Sequence, residues 1–115
     1  MNPTPRFLQG IIAFTGHGIN EARPLDPPLT YTVRVDAQAQ CVYFRGGNTT
    51  DELICVVLLR DDQPMRLFPI GARDAIHVPL RITEELLADT RLDVHVAAPA
   101  GTEGTVVVDL GLLEL

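Results

Sequence analysis

Leu29, Tyr31, Val33 and Val35 alternate with Thr30, Thr32 and Arg34. That period of two belongs to a strand with one face on a core and the other in water. The same period runs through residues 74–80, where Ile76, Val78 and Leu80 alternate with Ala75, His77 and Pro79. It returns at 91–98, with Leu92, Val94, Val96 and Ala98 opposite Arg91, Asp93, His95 and Ala97. Further strands are predicted over 7–15, 39–45, 52–60, 65–70 and 105–115. Gly46-Gly47-Asn48 and Asp61-Asp62-Gln63-Pro64 read as turns, and the second makes residues 52–70 the best hairpin in the chain. Residues 16–28 hold three prolines and two glycines, which predicts a long irregular loop. Thr83-Glu84-Glu85-Leu86-Leu87-Ala88-Asp89 predicts the one short helical turn, capped by Thr83 with acids in its first turn.

Strands at short spacing with turns between them close most naturally as an all-β, two-sheet antiparallel sandwich, jelly-roll-like, with residues 1–115 as one domain. A β-barrel is the alternative. Two runs do not fit a sandwich with a single interior. Leu53-Ile54-Cys55-Val56-Val57-Leu58-Leu59 and the stretch 106–115 are apolar on both faces, whereas outer faces of a small sandwich are normally polar. Surplus apolar surface points to association, here a homo-oligomer joined through a sheet face or an edge strand.

Composition narrows the chemistry. The chain has no serine, lysine or tryptophan, which removes serine nucleophiles, lysine Schiff bases and the phosphate-binding P-loop. All nine cationic residues are arginines, unclustered, against fifteen acids and a net charge of -6. Nucleic acid and anionic membranes both call for a basic face, so neither is an expected partner. Met1-Asn2-Pro3-Thr4-Pro5-Arg6 does not lead into a signal-like apolar stretch, and a cytoplasmic location is expected. Cys41 and Cys55 both fall in predicted strands and read as buried free thiols rather than a disulfide or a reactive centre.

The predicted loop at 16–28 gathers His17, Asn20, Glu21, Arg23 and Asp26. Long loops in compact chains often carry function, so these five are the expected partner or ligand contacts. A metal site would draw on His77, Asp93 and His95, a two-histidine, one-carboxylate set that depends on their strands being neighbours. Neither the HxH nor the HExxH spacing is present, so no metal or other cofactor is expected. Asp51-Glu52 and Asp61-Asp62 read as turn chemistry rather than calcium ligands. Asn48-Thr49-Thr50 matches a glycosylation acceptor. Sugar stacking wants exposed aromatics, and of the six present Tyr43 and Phe68 are the ones whose exposure decides the matter.

These readings converge on a non-enzymatic interaction or assembly module whose partner is itself or another protein. A small-molecule or carbohydrate binding module is the second reading, and a cupin-like metal-dependent enzyme using His77, His95 and a carboxylate the third.

Overall fold

The computed structural model describes residues 2–115. Eight strands form it: β1 Thr4–Thr15, β2 Gly18–Thr32, β3 Ala39–Asn48, β4 Ile54–Arg60, β5 Gln63–Ile70, β6 Ala75–Pro79, β7 Arg91–Ala98 and β8 Glu103–Glu114. They make two four-stranded antiparallel sheets, ordered β1-β8-β3-β6 and β2-β7-β4-β5. First pairs with last, second with seventh, third with sixth and fourth with fifth, so the chain is one long hairpin rolled over on itself. Closing the roll through β8–β3 and β7–β4 gives the jelly-roll sandwich.

The β4–β5 hairpin forms the tip of the roll. Asp61 and Asp62 both take left-handed backbone angles, with φ of 48° and 68°, as a two-residue hairpin turn requires. Inside the sandwich the alternation pays off in layers. Leu8, Leu110, Phe44 and Val78 form one cross-strand row of the first sheet's inner face. Phe44 is fully buried and stacks on Phe68 of the other sheet, ring centroids 4.1 Å apart and nearly parallel. Ile54, Val56, Leu58, Leu92, Val94 and Val96 supply the opposing layer.

Four expectations are corrected. Residues 83–89 form no helix: Leu86 instead bridges to Ala39 through two backbone hydrogen bonds of 2.9 Å and is fully buried. Seven residues are too few for a stable isolated helix, and plugging the core end with Leu86 satisfies the backbone as well. Residues 18–28 are not an irregular loop but most of edge strand β2, whose pairing with β7 breaks between Gly18 and Arg23 and again between Pro24 and Leu29. An edge strand tolerates prolines because one side of it carries no ladder. The predicted strand through Val35 ends at Thr32, and Val35 is exposed.

Gly46-Gly47-Asn48 is likewise no turn but the end of β3. A Cβ on Gly46 would lie 2.7 Å from Phe44 Cε2 and 2.8 Å from Ile70 Cδ1, so the glycine serves close packing between sheets. Asn48 is buried, and its amide donates to the carbonyls of Glu52, Ile70 and Gly71 while its oxygen accepts from Thr50. With every position of that amide engaged, it offers no free nitrogen to a glycan.

Candidate functional site

The alternation that fills the core also writes the outer face of the β1-β8-β3-β6 sheet, and the register sorts that face into three rows. Ile11, Val107, Gly47 and Ala75 lie side by side across all four strands. Next come Gln9, Asp109, Arg45 and His77, and beyond them Phe7, Gly111, Tyr43 and Pro79. Two apolar rows thus flank one polar row. Ile11 is 76% exposed and Phe7 53%, and Val107, directly opposite Ile11, is exposed too.

Tyr43 reaches this face because of a bulge. Cys41 pairs with Leu112 and Tyr43 with Gly111, leaving Val42 as the extra residue, which turns Cys41 inward and Tyr43 outward. The Tyr43 ring lies over Gly111, where a Cβ would stand 2.0 Å from Cε2. An aromatic ring covering a strand glycine shields the bare backbone. Its hydroxyl donates to Asp109 Oδ1 at 3.0 Å, and Gln9 donates to the same oxygen at 3.1 Å. The Arg45 guanidinium sits 5.2 Å from the Tyr43 ring centre, and His77 meets that ring edge-on at 6.1 Å. Partial burial and the bond to Asp109 push the Tyr43 hydroxyl above its ordinary pKa, so it stays a neutral donor. Asp109 is thus satisfied by two donors within the chain, which lowers the cost of covering it.

One end of this sheet is pinned by Glu114. Its side chain is 1% exposed, and Tyr31, Arg6 and Arg34 all converge on it, the two arginines at 3.3 Å and 3.0 Å. The Tyr31 hydroxyl bond, followed by the arginines, holds the Glu114 carboxyl below its usual range. Burial first, then Glu114 itself, push Tyr31 up to about 12. Sequence reasoning missed this cluster, since a lone acid in an apolar strand carries no signal of its partners. It also missed the Tyr43–Gly111 stack, although a glycine inside a strand is a known mark of close approach.

The residues predicted from the supposed loop are divided. His17, Arg23 and Asp26 line a cleft of about 450 Å³ with Phe14, Leu25 and Glu103. Asn20 and Glu21 are exposed and do not line it. The proposed metal set is not brought together. His77 lies on β6 in one sheet, while Asp93 and His95 lie on β7 in the other. Asp93 is held by Arg91 at 2.8 Å, and burial lowers the His95 pKa. Among the described residues no three His, Cys, Asp or Glu side chains stand close enough to hold a metal. Both cysteines are free thiols, and burial pushes Cys41 up to about 12 and raises Cys55, which suppresses thiolate chemistry. No helix among the described residues is long and apolar enough to cross a membrane.

No family model matches the chain, and no curated protein matches it. Two solved structures of infectious bursal disease virus are similar in fold. The Gt strain structure aligns over 97% of this chain with a TM-score of 0.50 and 6% identity. The Gx strain structure aligns over 99% with a TM-score of 0.47 and 9% identity. This chain spans about a third of each, 32% and 33%. At that identity the likeness concerns fold alone.

Proposed function

We propose that this chain is a non-enzymatic jelly-roll assembly module that associates with further copies of itself through the outer face of the β1-β8-β3-β6 sheet. Jelly rolls serve viral capsids, lectins and cupins alike, so the fold admits all three readings and the surface has to choose among them. The similarity to a virus structure accords with assembly. The observation that carries the reading is the pair of apolar rows, with Ile11, Val107 and Phe7 exposed and Tyr43 half-buried, around a polar row in which Asp109 already accepts from Gln9 and Tyr43. Aromatic and arginine side chains at the centre of a patch are what protein interfaces favour, with lysine disfavoured. The cleft holding His17, Arg23 and Asp26 borders the far end of β1, through Ala13, Phe14 and Thr15. In this reading those three contact residues form part of the polar rim.

The test is multi-angle light scattering at micromolar concentration on the chain and on Ile11→Asp. The unaltered chain is expected to run as a dimer or larger, and the variant as a folded monomer. A monodisperse monomer of the unaltered chain would remove the reading.

A further inference from the structure

A sandwich of two sheets has four edge strands, and here they are β1, β6, β2 and β5. Each edge presents unpaired N–H and C=O groups and is a template for another strand unless something blunts it. β2 carries Pro24, Pro27 and Pro28 and is broken by two register shifts. β5 carries Pro64 and Pro69, with an irregularity opposite Leu58–Leu59. β6 is five residues long and ends in Pro79. β1 differs from all three. It pairs with β8 at twelve consecutive positions without a shift, and from Arg6 to Thr15 it contains no proline. Among the described residues no loop backbone bonds to any residue from Thr4 to Thr15.

We infer that β1 is the joining edge of the assembly proposed above, pairing antiparallel with β1 of a second copy so that the sheet continues from four strands to eight. This inference rests on the reading of the chain as a self-assembling module and adds an edge contact to the face contact. Pairing through β1 aligns the outer faces of two copies into one broad apolar face, which further copies then cover. A two-fold axis gives the same patch on both partners. An axis through a β1 residue keeps the parity of every side chain, so both outer faces join into one. With the axis at Gly10, Phe7 stands opposite Ala13 of the second copy, and Gln9 opposite Ile11. Arg6, the only charged residue of β1, then faces Phe14, so no like charges oppose each other.

The dimensions suit such a contact. Twelve residues extend on the order of 40 Å at a strand's rise, close to the molecule's full 45 Å length. The flank along that length is 22–23 Å across. The whole flank, β1 with β2 beside it, has an outline of about 1,000 Å², so a contact along β1 that also takes in most of β2's side reaches the roughly 800 Å² that each partner gives to a stable interface.

The experiment uses single cysteines at Phe7, Gln9, Ile11, Ala13 and Val107 in a Cys55→Ala chain, with Cys41 left buried. The β1 variants are mixed in all pairs and oxidised with diamide, and light scattering on the unaltered chain runs alongside. Edge pairing predicts cross-linking several-fold stronger where the two β1 position numbers share a constant sum, which is 20 for an axis at Gly10. Association in light scattering without such a maximum on β1, including cross-linking through Val107→Cys alone, overturns edge pairing and leaves the assembly surface standing. A monomeric chain overturns both.

Discussion

β4 and β1 are both apolar on their outward-facing side, yet they end in opposite circumstances. β4 is an inner strand between β7 and β5. Its outward Val57 and Leu59 are buried within the chain, Val57 to 6% exposure. β1 is an edge strand, and its outward Phe7 and Ile11 stand in solvent, with exposed Val107 of β8 beside Ile11. An apolar run with apolar groups on both parities therefore has two meanings. In the middle of a sheet, flanking strands shield the second face. At the margin nothing does, and the same pattern becomes a surface that a partner can cover.

Exchanging charge for an apolar group at equivalent positions gives the sharpest break between the two. Val57→Asp would place a carboxylate where neighbouring strands already exclude water. A loss of about 3–4 kcal/mol is expected, which lowers the melting temperature by roughly 10–20 °C. Ile11→Asp is expected to change monomer stability by less than about 0.5 kcal/mol while abolishing association. Thermal denaturation followed by circular dichroism on both variants checks this. Equal losses would mean that β1 is as enclosed as β4.

A smaller effect is expected from Gly111→Val on β8. The added side chain displaces the Tyr43 ring, which lies 2.0 Å from the new Cβ position, and breaks the bond to Asp109. A cost of about 1–2 kcal/mol follows. The outer face gains apolar area but loses its ordered ring, so association should weaken. Tighter association in analytical ultracentrifugation would show that apolar area alone, without the Tyr43 arrangement, governs the surface.

The sandwich was legible because alternation survives in nearly every strand, and because Asp61-Asp62 marks the tip of the roll. The surplus apolar surface was legible as well, but its place was not. The sequence showed Leu53–Leu59 and 106–115 as equally two-faced, and only strand order separates an inner strand from one beside an open edge. The prolines of β2 predict a loop because local rules count broken ladders without knowing that an edge has just one. Residues 83–89 carried good helix signals, and the tertiary position of Leu86 against Ala39 overrode them. Tyr43 reached the outer face through a bulge at Val42, and a one-residue insertion in a register leaves no trace in a single strand's pattern.

The smallest effect concerns how the exposed strand is anchored. Glu114 ties together Arg6 of β1, Tyr31 of β2 and Arg34 just beyond it, so β1 is fastened at one end to both β8 and the other sheet. The carboxyl is held below its usual range, first by the Tyr31 hydroxyl and then by the arginines. A carboxyl whose folded pKa is depressed contributes stability that is fully present above its unfolded pKa. That contribution is lost as pH falls through the folded pKa. The urea midpoint of the unaltered chain should therefore fall more steeply on acidification, below the ordinary carboxylate range, than that of Glu114→Gln. At neutral pH the variant should be the less stable of the two, because a neutral amide leaves two arginines without their buried partner. Amide exchange adds the location: acid should release protection along β1 near Arg6 before it does so in β4, whose residues have no part in the Glu114 cluster. Parallel urea curves for the two chains across that pH range would show that Glu114 does not anchor the strand.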